Sequence, residues 1–197
     1  MAVGAFVFDL GETLIDERRH WALVADAVGV AHERVWSALE DVAARGVHHW
    51  QLFDDLGVER PDVPVEWQPS DLYPDAVHAL ARLRDAGYWV GVAANQPPEA
   101  EDFMRRLFPW DFIGISSLWG VEKPAPEFFE RIVESLPYRA EEIAYVGDRV
   151  DNDVVPALAA GLVAVHVKRG PWGRAHDAPA GAIVIESLHE LPEAVVG

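Results

Sequence analysis

Asp9, Lys123, Asp148 and Asp153 are the side chains whose types and spacing suit chemistry. Asp9 ends the apolar run Ala5-Phe6-Val7-Phe8 and precedes Leu10-Gly11-Glu12-Thr13-Leu14, while Asn95 follows the apolar stretch Tyr88 to Ala94. Lys123 stands in Gly120-Val121-Glu122-Lys123-Pro124, and Gly147-Asp148-Arg149-Val150-Asp151-Asn152-Asp153 follows Ile143 to Val146. Brought together, hard carboxylate oxygens would hold Mg²⁺, and metal and lysine would jointly neutralise the oxygens of a phosphate. Asp9 would then be a nucleophile, forming an aspartyl-phosphate that water later hydrolyses. An Asx turn or a helix cap accounts for Asp9 taken alone; the company of the other loops decides against that reading. Lys123 and Lys168 are the only lysines, arginine supplying the remaining cations, so a compact ammonium at position 123 stands out against the composition.

Such a convergence requires strands that end at one edge. Apolar runs at Ala5–Phe8, Tyr88–Ala94, Phe112–Ile115, Ile143–Val146, Val163–Val167 and Ala182–Ile185 read as strands buried on both faces. Between them lie helical patterns: one opened by Pro74 and stopped at Gly87, one around Phe103, Met104 and Leu107, one opened by Pro126, and one from about Asp153 to Ala160. Strands alternating with amphipathic helices imply a parallel sheet covered on both faces, with ligands bound outside the strands' carboxyl ends. The block from Asp16 to Ser70 differs. It contains three helical patterns, ending at Gly29, Gly46 and Gly57, then a proline- and charge-rich return, and no strand.

These features resemble the haloacid dehalogenase-like (HAD) superfamily over nearly the full chain. Phe8-Asp9-Leu10-Gly11-Glu12-Thr13-Leu14 matches its first motif, Lys123-Pro124 its lysine motif, and Gly147-Asp148 with Asp153 its acidic motif. The resemblance implies an α/β fold: a three-layer Rossmann-like parallel sheet formed by residues 1–15 and 71–197, with a small helical C1 cap, residues 16–70, inserted after the first strand. It further implies Asp9 as nucleophile and Mg²⁺ ligand, Gly11 as a metal ligand through its backbone carbonyl, Lys123 orienting nucleophile and phosphate, and Asp148 and Asp153 completing the metal site. The expected substrate is a small phosphorylated molecule, with Asn95 and Glu12 as candidate contacts to it.

Two positions depart from the family pattern. The second Asp of its phosphatases, the general acid and base, is replaced by Gly11, and the Ser or Thr that ends the second strand is replaced by Ala94. Loss of acid–base assistance costs about 10²–10⁴ in rate, so activity limited to good leaving groups is expected, with Glu12 or a cap residue as partial substitute. On that reading Gly11→Asp should raise activity. A non-catalytic binder of the same fold, or a dehalogenase or phosphonatase, are the competing readings; clustered carboxylates without metal would repel an anionic haloacid.

A formal charge of −17 repels nucleic acid and anionic lipid headgroups, and no basic patch offsets it. Absence of cysteine removes thiolate chemistry, disulfides and zinc–thiolate sites. With no leader or long apolar run, a cytoplasmic location is expected; monomer and homodimer both stay open. His48, His49 and Trp50 read as a helix N-terminus with exposed imidazoles, substrate choice being the alternative. His20 and Arg19 are placed outside the crevice, His166 within a strand as a structural residue, and Trp172 in a turn-rich loop packed on the core. Asp151 and Asn152 either support the metal site or cap the following helix.

Overall fold

The computed structural model describes residues 2–196. Six strands, β1 (Ala5–Phe8), β2 (Trp89–Ala94), β3 (Phe112–Ile115), β4 (Ile143–Gly147), β5 (Val163–Val167) and β6 (Ile183–Ile185), form one sheet of order β3-β2-β1-β4-β5-β6. All pairings are parallel. The expected α/β class with a Rossmann-like parallel sheet is thus the observed one.

The helices are α1 (Arg18–Val28), α2 (His32–Ala44), α3 (Gln51–Leu56), α4 (Ala76–Asp85), α5 (Ala100–Leu107), α6 (Ser116–Trp119), α7 (Pro126–Ser135), α8 (Val155–Ala159), α9 (Gly170–Ala175) and α10 (Glu193–Val196). Alternation along β1 sends Phe6 and Phe8 into one apolar layer, shared with Leu80 and Leu83 of α4 and Met104 of α5. Ala5 and Val7 enter the opposite layer, with Phe128, Phe129 and Ile132 of α7 and Ala157 of α8. Both faces of the central strand are buried, which explains its unbroken apolar sequence.

A third apolar cluster joins Trp21, Val24 and Ala25 of α1, Val35, Leu39 and Val42 of α2, and Leu52 and Phe53 of α3. Spacings of three and four residues place the α1 and α2 sets each on one helix face. Trp172 of α9 is the one buried member of this cluster from outside residues 16–70. Its segment is a helix, not the expected loop, and the Trp172 side chain packs against the helices of residues 16–70 while Gly173 lies against the end of β5.

Two further expectations are corrected, and one short helix is added to them. Pro74 lies two residues ahead of α4, in a turn. The helix expected from Asp153 begins earlier, as a π turn at Val150–Val154 running into α8. The apolar periodicity carried no sign of α6, a single turn after β3 closed by Gly120 in the left-handed region (φ 68°). Among the described residues, no helix is long and apolar enough to cross a membrane.

One ion pair ties the C-terminal segment to the turn ahead of α4, and its cation also reaches the turn after β1. Arg169, buried beneath Tyr73, donates to Asp75 from Nη1 at 3.0 Å and Nη2 at 2.7 Å, and to the Thr13 carbonyl at 3.2 Å. Asp75 also accepts from Ser187 Oγ at 2.7 Å and Leu188 N at 2.9 Å. Burial opposes the Asp75 charge, but these donors outweigh it and hold the carboxyl below its ordinary 3.8. The stability this supplies is present above the unfolded value and is lost as pH falls through the lowered folded one. Asp75→Ala, which strands a buried guanidinium, is expected to cost about 3–5 kcal/mol in urea unfolding at neutral pH. The cost should shrink below pH 4, roughly the unfolded carboxyl's range.

Candidate active site

β1 lies between β2 and β4, with Phe8 opposite both Val92 and Val146. The sheet order reverses at β1 and β4, so the loops after these strands diverge and leave a crevice between them. Asp9 leaves β1 still tied to β4, its N–H donating to the Val146 carbonyl at 2.8 Å. The following turn closes with Leu14 N and Ile15 N both 2.9 Å from the Leu10 carbonyl, and holds Glu12 at φ 50°, which side chains rarely adopt.

Lys123 arrives from the loop after α6, held by Asn95. The Asn95 side chain accepts from Lys123 N at 2.8 Å and donates to the Lys123 carbonyl at 2.9 Å. The buried ammonium lies 2.6 Å from Asp9 Oδ1 and 2.6 Å from Asp153 Oδ1. Asp153 is aimed back by the π turn, its other oxygen accepting from Arg149 N at 2.9 Å. Gly147 permits this approach, since a Cβ there would stand 2.5 Å from Asp153 Cβ. Gly147→Ala should therefore displace Asp153; if the three carboxylates hold Mg²⁺, calorimetric titration should read its affinity about 10–100-fold weaker.

Asp148 is buried, with only a long contact to Thr13 Oγ1, 3.5 Å, on its carboxylate among the described residues. His166, read as structural, donates from Nε2 to the Asp148 backbone carbonyl at 2.9 Å and so fixes the loop. Carboxylate oxygens of Asp9, Asp148 and Asp153 lie within 4.8 Å of one another. Burial pushes Asp9 up to about 6, Lys123 pulling it back and Asp153 pushing it further. Burial and the Asp153 and Asp9 charges push Asp148 well above the carboxylate range. Burial works against the Lys123 charge, but Asp153 and Asp9 outweigh it and keep the ammonium protonated. Three hard carboxylates around one ammonium, one of them nearly without donors, fit a small divalent cation.

Asp9, Lys123 and Asp148 floor a cleft of about 1090 Å³ whose opposite wall comes from residues 16–70, including Glu17, His20, Trp21, His48, His49, Trp50, Arg60 and Trp67. His20 therefore does face the crevice, whereas Arg19 turns away to pair with Asp71 at 2.7 Å. His48, His49 and Trp50 precede α3 and line the cleft; burial, then His48, pushes His49 down to about 3. Arg60 lies over the Trp50 ring and Arg149 over the Trp172 ring, 3.0 Å and 5.0 Å from the centroids. Asp151 and Asn152 also line the cleft, with Asp151 held by the Arg149 guanidinium at 2.7 Å.

Glu12 and Asn95, the expected substrate contacts, both line the cleft. Here Asn95 clasps the Lys123 backbone, and the two Glu12 oxygens accept from Tyr73 Oη and, at 3.0 Å, from Glu17 N. Burial raises Glu12 to about 7 against those donors. Sequence reasoning passed over Glu17, one acid in a run with Glu12 and Asp16. Burial and the Glu12 charge raise it to about 8, against a hydrogen bond from Trp21 Nε1 at 3.3 Å. Nothing in its local sequence marks it, because its neighbours in the cleft come from the turn after β1.

A family model described as haloacid dehalogenase-like hydrolase matches residues 3–161. The chain is 36% identical over 104 residues to a glyceraldehyde 3-phosphate phosphatase of Methanopyrus kandleri, covering 51% of this chain and 45% of that one. It spans about half the length of the first curated relatives it matches. Among solved structures it superposes on a HAD phosphatase from Thermococcus onnurineus with a TM-score of 0.65 at 23% identity, covering 100% and 99% of the two chains. It superposes equally on an L-2-haloacid dehalogenase from Xanthobacter autotrophicus, TM-score 0.69 at 21% identity, covering 99% of each. At such identities the structural likenesses speak for the fold alone.

Proposed function

The chain belongs to the haloacid dehalogenase-like hydrolases, and we propose that it is a Mg²⁺-dependent phosphatase acting on a small phosphorylated molecule through an aspartyl-phosphate on Asp9. The observation that carries this is the Lys123 ammonium 2.6 Å from Asp9, inside a cluster of three carboxylates. Asp9, Asp148 and Asp153 would hold the metal, Asp153 with both oxygens already taken by protein donors and so through water. Mg²⁺ bound there supplies positive charge against the carboxylates and the phosphoryl oxygens.

Lys123 favours the ionised form of Asp9 and aims it, and offers its remaining proton to a phosphoryl oxygen. Asn95 sets the lysine's position by clasping its backbone, and Glu12 braces the start of α1. Residues 16–70 serve as the cap, their aromatic side chains meeting the carbon body of the substrate and excluding water from the phosphoryl group. The phosphatase name of the Methanopyrus kandleri relative supports the reading. Haloacid dehalogenation is disfavoured because the clustered carboxylates, with a single ammonium beside two of them, would repel an anionic substrate.

Incubation with acetyl phosphate or p-nitrophenyl phosphate and Mg²⁺ is expected to release phosphate, and chelation by EDTA to stop it reversibly. Silence with Mg²⁺, or halide release from a haloacid by metal-free protein, would sink the proposal.

A further inference from the structure

The family's acid–base carboxylate is missing at position 11, yet the space it would occupy is filled. An ideal Cβ on Gly11 would lie 2.3 Å from Glu17 Oε1 and 3.1 Å from Glu17 Cδ. The Glu17 carboxyl therefore stands where a side chain on residue 11 would begin, in the same cleft as Asp9, Lys123 and Asp148. Its placement is built. Glu17 N donates to Glu12 Oε1 at 3.0 Å, Trp21 Nε1 donates to Glu17 Oε2 at 3.3 Å, and Oε1 has no hydrogen-bond partner among the described residues. Glu12 in turn is anchored by Tyr73.

We propose that Glu17, reaching over Gly11 from the start of α1, is the general acid and base of this enzyme, and that its substrates include phosphate monoesters of ordinary alcohols. The assignment rests on the phosphatase reading above. In the first step an Asp9 carboxylate oxygen bonds to phosphorus as the P–O ester bond breaks. The ester oxygen keeps the electron pair and takes the Glu17 proton, leaving as the alcohol. In the second, Glu17 carboxylate takes a proton from water while that water's oxygen bonds to phosphorus. The Asp9–phosphorus bond then breaks with its pair returning to Asp9, and hydrogen phosphate leaves. The expected restriction to good leaving groups is thereby lifted, and the small residue at 11 becomes a requirement of the arrangement. Gly11→Asp alone then places two carboxyls in one space, and the gain expected from the sequence gives way to no gain.

The test is a series of phenyl phosphates with Mg²⁺, from dinitrophenyl, which departs without a proton, to unsubstituted phenyl, with kcat/KM read for each variant. Glu17→Gln is expected to lose about 10²–10⁴ on phenyl phosphate and less than about tenfold on the dinitro ester, steepening the leaving-group dependence. Gly11→Asp/Glu17→Ala, which moves the carboxyl back to position 11, is expected to recover most of the phenyl phosphate activity. Gly11→Asp alone should not exceed the parent chain. A loss in Glu17→Gln that is uniform across the series, no loss at all, or a gain in Gly11→Asp alone overturns the Glu17 assignment while leaving the phosphatase standing. No phosphate release from any ester by the parent chain overturns both.

Discussion

Asp9→Asn is expected to lower phosphate release by about 10⁴–10⁶ while leaving the metal-free fold as stable as the parent or more so. The amide oxygen cannot attack phosphorus, and an enzyme stripped of its nucleophile retains little beyond binding and electrostatics. The stability half of the expectation follows from the site itself. Asp9 lies at about 6, above the ordinary 3.8, because burial and the Asp153 charge oppose ionisation more than Lys123 assists it. Above that value, holding Asp9 ionised in the fold costs stability, and a neutral amide removes the cost. Added Mg²⁺ should then raise the melting temperature of the parent more than that of the variant. Beryllium fluoride should add to position 9 in the parent only, as seen by intact-protein mass or fluorine NMR. A variant keeping more than about a hundredth of the activity would show that Asp9 is not the nucleophile.

Lys123→Met is expected to damage fold and activity together. The ammonium is buried and lies 2.6 Å from each of two carboxylates, with the Tyr145 ring centroid 5.6 Å away. Methionine roughly matches its length but leaves Asp9 and Asp153 buried without their cation. Removing one partner from a buried pair costs about 3–5 kcal/mol, read as a lowered urea midpoint with unchanged slope in the presence of chelator. Arginine should not rescue, because a planar guanidinium does not replace a compact ammonium between two close oxygens. Mg²⁺ should recover part of the stability and little of the activity, since the metal supplies charge but not the hydrogen bond to the nucleophile. A loss below about 1 kcal/mol would mean that the lysine sits in a wetter site than its surroundings indicate.

The loop ends were legible because short-range signals mark them. Four apolar residues before Asp9, and the apolar run before Gly147-Asp148, state that strands end there, and alternation with helices sets the strands parallel. The glycine at 147 stands beside Asp148 and six residues ahead of Asp153, the acid it makes room for. Less legible were the π turn that aims Asp153 and the single-turn helix carrying Trp172, since segments of five or six residues hold too little periodicity to register.

What the sequence determined by itself was therefore the sheet, the order of its loops and the identities of the groups those loops carry. Tertiary structure decided how the remaining polar side chains are spent. It turned Asn95 toward the Lys123 backbone, engaged Glu12 with Tyr73 and the start of α1, sent Trp172 into the apolar cluster of residues 16–70, and set Glu17 over Gly11. The physical reason is range. Backbone periodicity and turn chemistry act between residues a few positions apart, whereas a carboxyl's position above a glycine depends on where a whole helix enters, which only the packing of distant segments fixes.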